Sequence, residues 1–473
     1  MKILFVAGEA LPFSKTGGLG DVIGALPKEL VRLGIDARVV IPKHKMTKDN
    51  WNDQLEKITD FRVPIKNKEE YAGIEYLVHE GVTFYFVDNE YYFGYRDSLY
   101  GHFDDGERFG FFNHAVLMMM QEMNFYPDIV HINDWQAGLI PYLLKEKYNY
   151  GKYQNIKTLL TIHNIAYQGR FAKDLIEYLG VDLKPDIEYG NLINYLKSGI
   201  QVADYVSTVS KTYAKEILYD YFGFGMNTVL KTRENRLTGI VNGVDYDTFS
   251  PEVDTNIKFN FNVDNYLEGK EENKKHIRKY YNLEKIDVPL IGMVSRLTEA
   301  KGFDLIKEVL EGFLEKKQFQ FVLLGSGDPD IEKYYRELKD KYPHQIGLYI
   351  GYNEKMARKI YAGSDLFLMP SRFEPCGLSQ LISLKYGTLP IVRNTGGLRD
   401  TINPYNKFTG EGNGFGFENY DSDDLKHAIN ASLEAYKNNK AWNALVKRAM
   451  NEDFSWTQSA KQYIELYKKL KEE

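Results

Sequence analysis

A chain of 473 residues exceeds what one hydrophobic core usually holds, so two domains, or three, are expected. Its 43% hydrophobic and 27% charged content is that of an ordinary globular protein, and a net charge of −6 argues against a generally basic nucleic-acid binder while leaving room for a local basic cleft. One cysteine, Cys376, excludes a disulfide within the chain and suits a reducing cytoplasm, while no apolar run approaches the ~18 residues of a membrane span.

The start, MKILFVAGEALPF, does not read as a signal peptide: its apolar run is short and Glu9 follows it. From there, short apolar runs alternate with longer segments that carry apolar residues at helical spacing. The first run, KILFVA, reads as a buried parallel strand. EALPFSKTGGLGD (residues 9–21) comes next, with one lysine, Lys15, the pair Gly17-Gly18, and Asp21 at the opening of a helix. Paired glycines let backbone N–H groups approach an anion, and the helix that follows adds its positive N-terminus. ARVVIP, DIVHI and KTLLTIH are the next predicted strands. HINDWQAG and TIHNIAYQG, at the ends of the last two, bring Asp134, His163 and Asn164. These neutral or acidic groups suit sugar hydroxyls or a developing oxocarbenium charge. DYVSTVS and GIVNG complete the strands of the first half.

After a polar, Asn/Lys/Glu-rich stretch the pattern restarts near residue 288, with strands VPLIGMVS, QFVLLG, IGLYIG, DLFLMP and TLPIVR. Continuous apolar strands alternating with helices predict parallel sheets covered on both faces. The reading is an α/β chain of two Rossmann-like domains, residues 1–245 and 246–455, meeting near Asn242–Asp245. Residues 456–473 form a terminal helix with an apolar stripe of Trp456, Ala460, Tyr463, Ile464, Tyr467 and Leu470. Ser455 and Gln458 have capping-box spacing before it. Such a helix has to dock, and the first domain is the expected partner.

Ligands of open parallel sheets sit outside the carboxyl ends of the strands, and the unusual sequences lie there. SRLTEAKG holds Arg296 and Lys301, GSGD is residues 325–328, SRFEPCG holds Glu374 and Cys376, and RNTGGL holds Thr395, Gly396 and Gly397. A single Gly-Gly often only turns the chain. Four such turns at strand ends, SKTGGLGD of the first loop with GSGD, SRFEPCG and RNTGGL, two of them sharing T-G-G-L, point to a pyrophosphate. Glu374 reads either as an acid at a helix start or as a ligand for hydroxyls, and Cys376 as a small buried hydrophobe or a reactive thiol. No G-x-x-x-x-G-K-[ST] is present and no G-x-G-x-x-G follows a strand; GEGNGFG (410–416) reads as a flexible loop. No HExxH or Cys/His cluster exists, and Asp245-Tyr246-Asp247 is a D-x-D expected by chance, so no metal and no cofactor are assigned.

KTGGLGDV, HNIAYQG, GIVNGVDYDTFSPEVD, SRLTEAKGFDL, SRFEPCGLSQL and TGGLRDT together resemble bacterial glycogen synthases and plant starch synthases, in the same order from residue 1 to about 460. The resemblance implies a GT-B glycosyltransferase whose two domains face each other across a cleft. It implies retaining transfer of glucose from ADP-glucose to the non-reducing 4-hydroxyl of an α-1,4-glucan. By position, Lys15 with Gly17 and Gly18 would meet the donor phosphates, near Asp21. Arg296 and Lys301 would stabilise departing ADP, and Thr395, Gly396 and Gly397 would offer amides to the distal phosphate. Glu374 would hold glucose hydroxyls, while Asp134, His163 and Asn242 would line the sugar site. Tyr352 would stack on adenine and Cys376 would neighbour the sugar. Many relatives have His in place of Asn133 and Gln136, and the wider superfamily often has Glu in place of Ile382. A cytoplasmic enzyme without nucleic-acid or membrane partners is expected, with a homo-oligomer left open. A transferase with another donor or a small acceptor, a nucleotide-sugar epimerase and an inactive glucan-binding subunit are the competing readings. Lys15, Arg296, Lys301 and Glu374 are all present, which argues against the last.

Overall fold

The structure, a computed structural model, describes residues 1–66 and 68–473. Two compact units emerge: Met1–Asn242 with Trp456–Glu473, and Gly243–Ser455.

Strands of the first unit are β1 (Lys2–Val6), β2 (Asp36–Pro42), β3 (Glu56–Ile65), β4 (Lys68–His79), β5 (Val82–Asp88), β6 (Ile129–Asn133) and β7 (Lys157–Ile162). They continue with the short β8 (Arg170–Ala172), β9 (Glu188–Tyr189) and β10 (Leu192–Asn194), then β11 (Tyr205–Thr208) and β12 (Leu237–Gly239). The main sheet runs β12-β11-β7-β6-β1-β2-β5-β4-β3. Its pairs are parallel from β12 to β5, and β5-β4 and β4-β3 are antiparallel. β1 lies inside the sheet, with Ile3 to Val6 fully buried. That explains its unbroken apolar run, because a strand covered on both faces has no polar side to show.

Neither the buried strand β5 nor the antiparallel extension β3-β4 beyond it was foreseen. The strands of the extension are heavily charged and partly exposed, so they lack the continuous apolar signature. GIVNG is not a strand: β12 ends at Gly239, where a Cβ would come within 2.0 Å of the Ser210 carbonyl oxygen.

Helix α1 (Gly18–Arg32) follows the first loop and buries Leu19, Val22, Ile23, Leu26 and Leu30. The terminal helix, Trp456–Glu472, packs within this unit. Trp456, Ala460, Tyr463, Tyr467 and Leu470 join the same core as Phe5, Leu26 and Ile129. Its Tyr467 hydroxyl meets His131 Nδ1 at 2.7 Å, and His131 Nε2 meets Thr161 Oγ1 at 2.6 Å.

In the second unit, β13 (Leu290–Val294), β14 (Gln320–Gly325), β15 (Ile346–Ile350), β16 (Leu366–Met369), β17 (Leu389–Arg393) and β18 (Phe415–Phe417) form one parallel sheet, ordered β15-β14-β13-β16-β17-β18. Every apolar run predicted for this half is a strand. β18 begins within the segment read as a flexible loop and runs one residue past it; Phe415 and Phe417 are buried on the edge of the sheet.

Candidate functional site

The loop between β1 and α1 is folded around Glu9. One carboxylate oxygen accepts from the Thr16 amide and hydroxyl, both at 2.7 Å. The other accepts from the amides of Gly17 at 3.1 Å and Gly20 at 3.0 Å. The Gly17 amide, expected to face a phosphate, is therefore engaged within the chain. Gly18 is exposed, and a Cβ built there would meet nothing within 4 Å. The Lys15 ammonium pairs with Asp21 at 2.6 Å, each side chain about a quarter to a third exposed.

At the end of β6, Asp134 holds φ at +57°, a left-handed conformation unusual for a side-chain-bearing residue. Its buried carboxylate accepts the His163 amide at 2.7 Å. Burial pushes the carboxyl up to about 7, opposed by its bonds to the His163 and Asn164 amides. His163 is held neutral, lowered to about 3 by burial, and its Nε2 lies 3.0 Å from Asn133 Oδ1. An amide oxygen only accepts, so Nε2 carries the ring proton. This is the work of Asn133, one of the two positions where relatives carry His. At the other, Gln136 is buried beside Gly8 with no hydrogen bond to its Oε1. Asn242 is likewise buried with an unpartnered Oδ1. The structure therefore groups Glu9 and Lys15 of the first loop with Asp21 of the first turn of α1, and Asn133, Asp134 and His163 at the neighbouring strand ends.

In the second unit a cavity of about 160 Å³ opens at the carboxyl ends of β13 and β16. Arg296, Lys301, Ser371 and Glu374 line it. Glu374 Oε2 accepts from Lys301 Nζ at 2.6 Å and from Ser371 Oγ at 2.9 Å. Both Glu374 and Ser371 are buried, whereas Arg296 is exposed. Ser371 was missed by sequence reasoning. Its signal was the i, i+3 spacing in SRFE, which lets a hydroxyl reach the carboxylate of the same turn.

The glycine turns of this unit bring backbone against backbone. A Cβ at Gly396 would lie 2.0 Å from the Glu374 carbonyl oxygen, and one at Gly397 would lie 2.1 Å from that of Cys376. The Gly397 amide donates to the carbonyls of Glu374 and Pro375, both at 3.1 Å, and the Thr395 amide to Arg393. Both amides were expected to face the distal phosphate; the Gly397 amide instead ties the Glu374 loop in place, and the Thr395 amide closes a local turn on Arg393. GSGD is similar: Cβ atoms at Gly325 and Gly327 would strike the carbonyls of Ser295 and Leu297. Cys376 is buried under the glycine turn, and Tyr352, after β15, is 79% exposed. Asp245 accepts from the Asp247 amide and the Thr248 hydroxyl, which makes the D-x-D a turn. Ile382 is buried on the helix Ser379–Lys385.

The starch synthase catalytic domain profile matches residues 2–232, and the glycosyl transferases group 1 profile matches residues 274–449. A glycogen synthase of Bacillus licheniformis is 46% identical over 99% of this chain and 98% of its own length. The chain belongs to the glycogen and starch synthase family. Among solved structures, the catalytic domain of starch synthase IV from Arabidopsis thaliana, bound to ADP and acarbose, superposes with a TM-score of 0.91. It is 33% identical, over 100% of this chain and 99% of that one. A sucrose-phosphate synthase from Thermosynechococcus elongatus, 16% identical with a TM-score of 0.61 over 99% and 98%, shares the fold. As in other glycogen and starch synthases, the two α/β units are those of a GT-B glycosyltransferase. No helix among the described residues is long and apolar enough to cross a membrane.

Proposed function

We propose that the enzyme transfers glucose from ADP-glucose to the non-reducing 4-hydroxyl of an α-1,4-glucan, with retention, and releases ADP. The observation that carries this reading is the cavity where Arg296 and Lys301 stand beside a buried, doubly bonded Glu374. As the bond from C1 of glucose to the β-phosphate oxygen breaks, negative charge grows on the diphosphate. Arg296 and Lys301 oppose that charge, and preorganised charge of this kind is usually the largest catalytic contribution. Lys15 adds a third cation to the donor phosphates. The acceptor oxygen attacks C1 from the face the diphosphate leaves, and its proton passes to the departing phosphate oxygen.

Glu374, fixed by Lys301 and Ser371, holds glucose hydroxyls. Asp134 and His163 orient the sugar, and exposed Tyr352 stacks on adenine. The Arabidopsis relative, solved with ADP and acarbose, supports this donor and acceptor pair. With three cations to face the diphosphate, no divalent metal is needed, and a chelator should leave the rate unchanged. Labelled ADP-glucose and UDP-glucose are to be offered in parallel with a glycogen primer. Polymer labelled mainly from ADP-glucose is expected. Equal or higher kcat/KM with UDP-glucose overturns the donor, transfer to free sugars alone overturns the acceptor, and an epimer formed without acceptor overturns the reaction.

A further inference from the structure

Glu9 is a charged side chain only 1% exposed, in a loop whose later residues, Thr16 and Gly17, face solvent. A carboxylate has about four lone-pair sites, and here four donors fill them: the Thr16 amide and hydroxyl, and the amides of Gly17 and Gly20. None remains to hold a substrate hydroxyl. The charge sits at the N-terminus of α1, where an anion is most favoured. The chain thus supplies its own anion there, and a donor phosphate does not take those amides. What the loop still offers is Lys15, now paired with Asp21, and the uncrowded backbone of Gly18. The Lys15 stem rests on Gly20, where an added Cβ would lie 3.1 Å from Lys15 Cβ.

We propose that Glu9 is a positioning residue, a resident anion that folds the Thr16–Gly20 turn so that Lys15 and Gly18 are presented to the donor diphosphate. The proposal rests on the reading of Lys15 as a donor contact. Glu9→Gln keeps the size but turns an NH₂ toward two of the four donors. Its effect should fall on donor KM, raised on the order of tenfold, with a smaller change in kcat and in acceptor KM. In the Lys15→Ala background the same substitution should add less than about threefold, since groups acting through one another are not additive. Thr16→Val removes only the hydroxyl donor and should raise donor KM by about two- to fivefold. It serves as the milder variant if Glu9→Gln does not fold.

Kinetics are to be measured on folded, monodisperse enzyme well below its melting temperature. Unchanged donor KM in Glu9→Gln, or in Thr16→Val where only that variant folds, overturns the proposal. So does a full multiplicative loss in the double variant. Near-normal kinetics of Lys15→Ala would instead overturn the reading of Lys15 itself, which separates the two failures.

Discussion

The tetrapeptide T-G-G-L occurs twice, at residues 16–19 and 395–398, each time between a parallel strand and a helix. In the first copy a side-chain carboxylate gathers the amides and both glycines are exposed. In the second copy backbone carbonyls of the neighbouring loop receive the Gly397 amide, and neither glycine has room for a single carbon. One motif is an open loop held from inside; the other is a wedge that fixes the loop bearing Glu374. Identical residues at equivalent strand ends need not do the same work, because the neighbour that takes the amides decides.

The sharpest way to break this contrast is Gly397→Ala. The new Cβ, 2.1 Å from the Cys376 carbonyl oxygen, must push the Glu374 loop aside. Steady-state rates should fall more than about a hundredfold, as expected for a displacement of ~1 Å at reacting groups. Calorimetry should show a loss of about 1–3 kcal/mol, the cost of overpacking.

Glu374→Gln leaves the wedge intact and removes only the charge. We expect kcat to fall by about 10²–10³, the range for losing one preorganised electrostatic group, with little change in donor KM. A kcat within threefold would make Glu374 merely an acid at a helix start.

Lys15→Ala removes one charge-assisted contact from the open copy, worth about 1.5–3 kcal/mol, or roughly 10- to 150-fold in kcat/KM.

Next in size is a pH effect beside the open loop. The Asp134 carboxyl, raised from 3.8 to about 7 by burial, binds a proton in the folded state that the unfolded chain has already released. Its contribution to stability is full below pH 4 and lost as pH rises to about 7. His163, lowered to about 3, acts oppositely, and its contribution is lost as pH falls from 6.5 toward 3. Urea unfolding of Asp134→Asn should therefore gain on the parent from pH 4 to 7, by on the order of 3 kcal/mol. A constant difference across that range would contradict it. If the carboxylate form is the active one, the kcat of the parent should rise through pH 7, and that limb should vanish in Asp134→Asn.

The smallest effect is expected of Gly18→Ala. Nothing lies within 4 Å of the new Cβ and Gly18 opens a helix, so stability should stay level or rise by up to ~1 kcal/mol. A drop in the melting temperature would show that the open copy is as tightly enclosed as the other.

Much of the fold was legible because central strands must be apolar on both faces. KILFVA, QFVLLG and TLPIVR could hardly be anything else. The edge was not, since β3 and β4 show charges to water on part of their surface, and β18 is three residues among glycines. The residue types at the strand ends were readable from the family motifs, including Lys301 and Glu374, which the structure joins. The use of each amide was not, because a hydrogen bond from Gly397 to Glu374 depends on where a second loop passes in space. Glu9 escaped for a related reason. An acid between an apolar strand and a turn gives no hint that four donors will fold back on it.

The terminal helix has a consequence for synthesis. Trp456, Tyr463, Tyr467 and Leu470 complete the core of the unit that begins at Met1. The continuous unit, Gly243–Ser455, is synthesised in full before the helix that walls its predecessor. At ~5–20 residues per second, the N-terminal half waits for the last helix with β1 and α1 exposing apolar surface. The N-terminal part therefore cannot finish first, and a chain truncated before residue 456 would hold a complete second unit tethered to an unfinished first.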